Sequence, residues 1–139
     1  NAEMIEALNL IQDHLFVGIF PALQEAGIAA LLDPKSEEAV AQLNATYDSR
    51  RDAFVQAAAK IGWQAFPSKG SFYAWMPVPE GYTSESFADL LLEKAHVAVA
   101  PGKGFGPAGD AYVRIGLLVE PERLVEAVAR IANLQLFNN

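Results

Sequence analysis

Arg114 is the side chain whose type and setting best suit binding chemistry in this sequence. It lies within Tyr112 to Leu118, an apolar run that is typical of a β-strand. An arginine presents a rigid fork of donors that can hold a carboxylate in two parallel hydrogen bonds, so we predict that Arg114 binds a small acid. The ordinary alternative is a solvent-facing arginine whose stem covers apolar surface. Strand alternation predicts two faces, Val113, Ile115 and Leu117 against Tyr112, Arg114 and Gly116.

A glycine-rich segment precedes this strand. Its centre, Gly104-Phe105-Gly106-Pro107-Ala108-Gly109, matches the G-x-G-x-x-G pattern of dinucleotide-binding proteins. That pattern requires a helix directly after it, whereas Pro107 stands where the helix should begin and strand-like residues follow. The segment therefore predicts no nucleotide site. Two interpretations stay open: a flexible connection between strands, or a loop that a ligand approaches closely, with Lys103 and Phe105 at its rim.

Lysine and histidine side chains are weaker candidates. Lys69 follows Ser68, and a Ser-Lys pair often precedes a Schiff-base lysine. A covalent lysine needs a pKa lowered by burial or by a neighbouring cation, and a turn between strands supplies neither. Lys69 is therefore predicted to be a solvated turn residue. His14 and His96 lack the carboxylate spacing of a metal site, so no metal is predicted.

Composition and charge exclude several classes of protein. Seventeen acidic and ten basic side chains give the 139 residues a net charge of -7, which argues against binding to nucleic acid or to anionic membranes. No apolar run approaches the roughly 20 residues of a membrane-spanning helix. The chain has no cysteine, which excludes disulfides and thiolate metal sites. These features predict a soluble protein and are compatible with the cytoplasm.

The first part of the chain predicts three helices. The first carries one apolar stripe, formed by Met4, Leu8, Ile11 and Leu15. The second covers Phe20 to Leu32, is apolar on nearly all sides and ends at Asp33-Pro34. Ser36 is the expected N-cap of a long connecting helix over 36–62, with Gly62 as its C-cap. A narrow apolar seam runs along this helix, through Val40, Leu43, Tyr47, Phe54, Ala58 and Ile61.

After Gly62 the pattern becomes aromatic and alternating, which favours strands. The expected order is strand, strand, helix, strand, strand, helix, namely Trp63 to Phe66, Phe72 to Met76, a helix capped by Ser84, Val97 to Ala100, Tyr112 to Leu118 and a helix from Pro121. Residues 67–70 separate the first two strands, and the last helix would bury Leu124, Val128 and Ile131. The predicted fold class is α/β (α+β), a two-layer small domain with a sheet of three to four strands covered by helices.

Several segments taken together carry a family resemblance. They are Gly70 to Trp75, Val97 to Gly102 with Phe105, Gly106 and Gly109, and Tyr112 to Gly116 with the closing helix after it. In order and spacing the chain resembles the C-terminal part of class I/II aminotransferases, which depend on pyridoxal phosphate. The resemblance implies that residues 1–34 match the end of the large domain and residues 35–139 the small domain. It also implies homodimers that transfer an amino group between an amino acid and a 2-oxo acid.

The resemblance assigns roles to particular residues. Arg114 stands at the position of the arginine that grips the substrate α-carboxylate in this family. Phe72 stands at the position of an aromatic side chain that lines the substrate pocket, and Phe105 at the loop rim is taken as a third substrate-binding residue. Phe16 to Phe20 falls in a region that approaches the partner subunit's active site in family dimers.

The family's Schiff-base lysine has no counterpart among the five lysines of this sequence, Lys35, Lys60, Lys69, Lys94 and Lys103. It is expected upstream of Asn1, together with the other residues that bind the cofactor. We therefore predict no catalytic or cofactor-binding residue in this chain, and no covalent pyridoxal phosphate or transamination by the chain alone. The alternatives are a stand-alone module that binds small acids and a dimerisation module without catalysis. The amino donor stays open.

Overall fold

A computed structural model describes residues 1–16, 18–66 and 68–137. The chain forms two compact units, Asn1–Gln42 and Leu43–Asn139. The helices are α1 (Ala2–Ile11), α2 (Pro21–Leu32), α3 (Ser36–Lys60), α4 (Ser84–Leu90) and α5 (Pro121–Ala132). The strands are β1 (Tyr73–Pro77), β2 (Ala100–Pro101) and β3 (Tyr112–Gly116). The α/β fold class with a small sheet is thus confirmed, and the sheet has three strands.

The first unit contains the two predicted N-terminal helices. The side chain of Asn1 caps α1 by accepting a 3.0 Å hydrogen bond from the backbone N–H of Glu3. A π-helical turn, Gln12–Phe16, follows α1 and was not anticipated. Pro21 is the first residue of α2, where a proline costs no hydrogen bond. Neither α1 nor α2 has a buried residue, and large apolar side chains such as Met4, Leu8, Leu15 and Phe20 are exposed.

Ser36 does not cap α3, as the sequence had suggested, because it is already the first helical residue. Its hydroxyl instead donates a 2.7 Å hydrogen bond to the carbonyl oxygen of Ala30 in α2. The carboxylate of Asp33 accepts from the backbone N–H of Lys35 at 2.8 Å and so orders the turn before the helix. A serine hydroxyl at such a turn can bond to the helix that follows or to the helix that precedes it. Here it bonds to the preceding helix, because the last carbonyl groups of a helix have no partner within that helix.

The end of α3 agrees with the sequence. Gly62 has a φ of +81°, the left-handed conformation that a glycine C-cap adopts. The backbone N–H of Trp63 closes the helix end on the carbonyl of Ala58 at 3.0 Å. The predicted apolar seam is buried only in its C-terminal half, where Phe54 and Ala58 belong to the core, while Val40 and Leu43 are exposed.

The strand predicted over Trp63 to Phe66 is wrong, because none of these residues joins the sheet. Trp63 turns into the core instead, where its indole N–H donates a 2.8 Å hydrogen bond to the carbonyl of Pro77. Its ring is stacked on Phe137 at 5.1 Å and meets Phe54 and Phe87 edge-on. The aromatic character of this segment therefore reflects a Trp63 side chain buried in the core and not a strand. Pro67, within the predicted break after it, lies outside the described residues.

The sheet has the order β1-β3-β2, and both pairings are antiparallel. The central strand β3 places Arg114 opposite Trp75 of β1 on one side and opposite Ala100 of β2 on the other. The predicted strands at 97–100 and 112–118 are shorter than expected, at Ala100–Pro101 and Tyr112–Gly116. A further hydrogen bond of 2.8 Å, from the backbone N–H of Leu117 to the carbonyl of Phe72, continues the contact between β1 and β3 beyond the paired residues.

One face of the sheet packs against α3, α4 and α5 to form the core. The strands contribute Ala74, Met76, Val113 and Ile115, and the helices contribute Phe54, Phe87, Leu124, Val128 and Ile131. The last three confirm the predicted buried face of α5. The opposite face of the sheet carries Tyr73, Trp75, Tyr112 and Arg114, which are only partly buried.

Thr83, and not Ser84, is the N-cap of α4. The Thr83 hydroxyl accepts from the backbone N–H of Ser86 at 3.2 Å, and the Ser86 hydroxyl accepts from the backbone N–H of Thr83 at 3.0 Å. This reciprocal capping box satisfies two backbone donors at the helix start. Ser84 is thereby freed for a different, buried contact. A π-helical turn, Leu91–Ala95, follows α4 and ends at His96 in the left-handed conformation.

Within the described ranges, no helix combines the length and the apolar character that crossing a membrane requires.

Candidate functional site

Arg114 lies in the middle of β3, on the sheet face opposite the core. The burial of this strand alternates as predicted, with Val113 and Ile115 buried and Tyr112 and Arg114 only partly so. Gly116 is exposed on the same face as Arg114 and has no side chain of its own, and the side chains of Leu118 and Tyr73 lie next to it. The predicted two faces of β3 are confirmed.

The guanidinium of Arg114 lies between two aromatic rings. Its central carbon is 4.0 Å from the ring centre of Tyr73 and 4.2 Å from that of Phe105. Tyr73 comes from β1, and Phe105 comes from the segment that connects β2 to β3. Both distances fall well within the range of cation–π attraction, and a guanidinium that stacks on aromatic rings can still donate hydrogen bonds from its edge.

Arg114 has no ion pair and no hydrogen bond to its side chain within residues 1–16, 18–66 and 68–137. The other four arginines are each paired with a carboxylate, Arg50 with Glu120, Arg51 with Asp48 and Asp52, and both Arg123 and Arg130 with Glu126. A half-buried guanidinium without a counter-ion is suited to bind an anion, because the anion would accept hydrogen bonds from its free N–H groups. The arrangement can therefore hold a carboxylate.

Further aromatic rings surround this pair on the same face of the sheet. Trp75 stacks on Tyr112 at 5.8 Å and meets Phe105 edge-on at 5.8 Å. Phe66 packs on Tyr112 at 6.1 Å. Sequence reasoning missed Tyr73 and Trp75 as neighbours of Arg114. Their alternation in β1 was visible, but only the strand register shows which residues lie opposite.

Phe72 lies apart from Arg114 and is connected to it through Tyr73. Its ring is 4.5 Å from Tyr73 and 5.7 Å from Tyr47 of α3, and it is exposed. Phe72 lines a separate cleft of about 410 Å³ beside α3, whose walls include Tyr47, Arg51 and Lys69. The structure thus brings Phe105 and Arg114 together and places Phe72 one ring further away.

The glycine-rich connection, residues 102–111 and here called the glycine loop, is more ordered than a flexible linker. It forms two short 3-10 turns, Gly102–Phe105 and Pro107–Ala111, with Gly106 between them at a φ of +126°. The predicted context for a dinucleotide site is absent, because a strand follows the loop. Phe105 is the last residue of the first turn and is exposed, and the approach of a ligand to this loop stays a prediction.

Two glycines of the loop are required by packing and not by a ligand. A Cβ atom on Gly102 would lie 2.1 Å from the carbonyl oxygen of Gly109, and one on Gly109 would lie 2.0 Å from that of Gly102. The two backbones touch at the base of the loop, so neither position accepts a side chain without movement. Gly104, in contrast, faces open space.

The base of the loop is hydrogen-bonded to the start of α4. The hydroxyl of Ser84 donates to the carboxylate of Asp110 at 2.8 Å, and the backbone N–H of Ser84 donates to the same oxygen at 3.2 Å. These bonds lower the pKa of Asp110, since they favour the ionised form. Lys103 pairs with Glu85 at 2.7 Å, and the hydrogen bond raises the pKa of the lysine.

The family model described as aminotransferase class I and II matches residues 1–131. The chain belongs to this family. The resemblance inferred from the three groups of sequence motifs is thereby confirmed.

Two curated aminotransferases illustrate the similarity. The chain is 58% identical over 137 residues to the L-glutamine--4-(methylsulfanyl)-2-oxobutanoate aminotransferase of Bacillus subtilis, covering 99% of this chain and 34% of that protein. It is 45% identical over 130 residues to the LL-diaminopimelate aminotransferase of Moorella thermoacetica, covering 94% of this chain and 33% of that protein. The chain thus spans about a third of the length of these relatives.

Solved structures of aminotransferases and related proteins agree. Apo BacF of Bacillus subtilis superimposes with a TM-score of 0.89 at 42% identity, over 100% of this chain and 36% of that one. The aromatic aminotransferase of Pyrococcus horikoshii gives a TM-score of 0.71 at 38% identity, over 76% of this chain and 28% of that one.

The aminotransferase family implies pyridoxal phosphate, and the lysines of this chain do not fit its covalent site. All five lysines are exposed, whereas a Schiff-base lysine is activated in a desolvated pocket or beside another cation. The hydrogen bond with Glu85 raises the pKa of Lys103, whereas a Schiff-base lysine needs a lowered pKa. His14 and His96 are exposed as well, and the described residues contain no group of side chains arranged to hold a metal ion.

Proposed function

We propose that this chain is the substrate-carboxylate-binding part of a pyridoxal-phosphate-dependent aminotransferase. In this proposal residues 1–34 correspond to the end of the large domain, and residues 35–139 to the small domain with its connecting helix. The family membership supports the proposal, and so does Arg114 at the centre of the sheet, the one arginine without an ion pair among the described residues. The whole protein would transfer an amino group between an amino acid and a 2-oxo acid.

Arg114 is the proposed carboxylate-binding residue. The observation that carries this role is its half-buried guanidinium, which lies between Tyr73 and Phe105 without a counter-ion among the described residues. The two rings limit rotation of the fork, so the carboxylate of a bound acid would meet donors that already point in one direction. A fixed carboxylate orients the rest of the substrate for reaction.

Phe105 and Phe72 are the other two proposed substrate-binding residues. Phe105 is supported by its direct contact with Arg114. Phe72 is supported more remotely, since its ring packs on Tyr73, which in turn covers the guanidinium. We place Phe105 beside the carboxylate and Phe72 further along the substrate.

The substrate side chain is proposed to be bulky or apolar. The sheet face around Arg114 presents the rings of Trp75, Tyr112 and Phe66, which favour apolar and thioether groups. The name of the 58% identical Bacillus relative includes 4-(methylsulfanyl)-2-oxobutanoate, an acid of this kind. This makes 4-(methylsulfanyl)-2-oxobutanoate the first acceptor to test.

The covalent half of the chemistry is proposed to lie outside this chain. Pyridoxal phosphate supplies an electron sink when it is bound, and it needs a Schiff-base lysine, whereas all five lysines of this chain are exposed. We accordingly expect the isolated chain to be inactive. We further propose a homodimer in the cytoplasm, in which the exposed apolar side chains of α1 and α2 are covered by other parts of the protein.

Two measurements test the proposal. The whole protein, supplied with pyridoxal phosphate and L-glutamine, is expected to aminate 4-(methylsulfanyl)-2-oxobutanoate, or another apolar 2-oxo acid in a panel. The 139-residue chain, incubated with the cofactor and reduced with borohydride, is expected to show no stoichiometric label on any single lysine by mass spectrometry. Failure of the whole protein to aminate any 2-oxo acid would refute the activity. Full labelling of one lysine would refute the placement of the covalent site.

A further inference from the structure

We propose that Ser84 and Asp110 are positioning residues, which hold the Phe105 ring against the Arg114 guanidinium through the base of the glycine loop. The inference rests on the proposed carboxylate-binding role of Arg114. The hydrogen bonds of Ser84 and Asp110 reach the loop and α4, and Arg114 takes part in none of them. Their effect on substrate would therefore pass through Phe105.

Ser84 connects the start of α4 to the glycine loop through its hydroxyl. It is 0% exposed, the one buried polar side chain within the described ranges. Its hydroxyl donates to the Asp110 carboxylate at 2.8 Å and accepts from the backbone N–H of Lys103 at 3.3 Å. A single buried hydroxyl thus joins two points of the loop, one on each side of Phe105. A buried polar group of this kind holds one arrangement, because leaving it unpaired is costly.

The chain between these two points is short and closed at its base. Lys103 and Asp110 bracket the segment that carries Phe105, and Gly102 and Gly109 touch backbone to backbone beneath them. With both ends fixed, the two 3-10 turns leave Phe105 little freedom to move away from the sheet. These contacts therefore fix the position of Phe105, the ring that covers Arg114, relative to α4.

The carboxylate of Asp110 is the strong acceptor in these contacts. It receives both the hydroxyl and the backbone N–H of Ser84, so it ties the loop to the first residue of α4. The neighbouring pair of Lys103 and Glu85 spans the same elements, but both side chains are more than half exposed. An exposed ion pair contributes little, so Ser84 and Asp110 are expected to dominate.

Trp75 offers a readout of the Phe105 position that does not depend on activity. Its indole ring meets the Phe105 ring edge-on at 5.8 Å, so its NMR signal senses the neighbouring ring. In the whole protein labelled with ¹⁵N-tryptophan, the signal is assigned with Trp75→Phe. Asp110→Ala and Ser84→Ala are expected to move the Trp75 indole signal towards its position in Phe105→Ala, and Asp110→Asn, which keeps the acceptor oxygen, is expected to leave it in place.

The second readout is the KM for 4-(methylsulfanyl)-2-oxobutanoate. Phe105→Ala and Asp110→Ala are each expected to raise it about threefold or more with little change in kcat, and Asp110→Asn to restore it. The double variant is expected to be no worse than Phe105→Ala, because two residues that act through one contact are not additive. If Asp110→Ala fails to fold, the KM of Ser84→Ala is measured in its place, because that variant keeps the backbone N–H that donates to Asp110.

The outcomes separate this inference from the proposed function. An unmoved Trp75 signal in both Asp110→Ala and Ser84→Ala would overturn the inference whatever the activity. So would additive effects of Asp110→Ala and Phe105→Ala on KM, or an Asp110→Asn variant as impaired as Asp110→Ala. An Arg114→Ala variant with unchanged KM would instead overturn the proposed function, while the Trp75 signal would still report on the loop.

Discussion

The guanidinium carbon of Arg114 lies 4.0 Å from the centre of the Tyr73 ring, on a neighbouring strand and two residues along from its direct partner Trp75. The centre of the Phe105 ring lies 4.2 Å from the same carbon. One of these rings comes from the sheet and the other from a loop, so the two can be removed separately. The contacts leave the edge of the guanidinium for a carboxylate.

Removing the loop ring is expected to weaken substrate binding by a moderate amount. Phe105→Ala abolishes one cation–π contact, which contributes about 0.5 to 2 kcal/mol, or about a 2- to 30-fold change. The expected result is a higher KM for the 2-oxo acid with kcat nearly unchanged. Steady-state kinetics of the whole protein measure this. The control is Leu92→Ala, at an exposed apolar side chain of the Leu91–Ala95 turn outside the sheet; equal effects of the two variants would contradict the account.

Two glycines of the loop are expected to respond differently to alanine. Gly109→Ala places a Cβ 2.0 Å from the Gly102 carbonyl oxygen and must displace the backbone, whereas Gly104→Ala meets open space. We expect Gly109→Ala to lower the melting temperature and raise the KM, and Gly104→Ala to change both only slightly. Thermal melts and kinetics on the two variants check this. A tolerant Gly109 would show that the loop is not closed as described.

The core anchor Trp63 is expected to be sensitive to loss of its N–H. Trp63→Phe leaves the Pro77 carbonyl without its 2.8 Å donor and leaves space beside Phe137. The expected loss is about 2 to 4 kcal/mol, from an unpaired buried acceptor together with a cavity. Chemical denaturation followed by circular dichroism measures it. Tyr82→Phe, at a partly exposed ring with no described hydroxyl partner, serves as control and should change stability by less than about 0.5 kcal/mol.

Several elements were predictable from the sequence because their signals are local. Pro121 at a helix start, Gly62 at a helix end and the alternation of Val113 and Ile115 each depend on neighbours in the chain. The same holds for the glycine loop, whose failure to precede a helix already argued against nucleotide binding.

Other features depended on contacts between distant residues. Trp63 looked like a strand residue because its partners, Pro77 and Phe137, lie 14 and 74 positions away. Ser84 looked like an N-cap, yet its neighbour Thr83 takes that place and Asp110 claims its hydroxyl. The position of Tyr73 beside Arg114 required the register between β1 and β3. Sequence patterns supplied Arg114 and Phe105, but not Tyr73 or the contact of either ring with the guanidinium.

Acid is expected to reduce the stability that ionised Asp110 contributes through its bonds with Ser84. The bonds from Ser84 hold the pKa of this carboxyl below its ordinary value, so the folded state binds its proton less readily than the unfolded state. Its contribution to stability is therefore complete above about pH 5 and is lost as the pH falls below the ordinary aspartate range near 3.9. Thermal melts between pH 3 and 7 should show the advantage of the natural protein over Ser84→Ala shrinking only at the acid end.

The matched control for this experiment is Ser49→Ala, at an exposed serine of α3. Its melting temperature should follow that of the natural protein at every pH. A difference between the natural protein and Ser84→Ala that grows as the pH falls would contradict the assigned direction of the Asp110 pKa.

The most direct test of the account is the affinity of the whole protein for a 2-oxo acid with and without the Arg114 guanidinium. Calorimetry with 4-(methylsulfanyl)-2-oxobutanoate should show binding weakened by at least about tenfold in Arg114→Ala, with Arg114→Lys in between because it keeps the charge but loses the fork. Arg123→Ala, at an exposed arginine paired with Glu126, should bind like the natural protein. Unchanged affinity in Arg114→Ala would contradict the central claim.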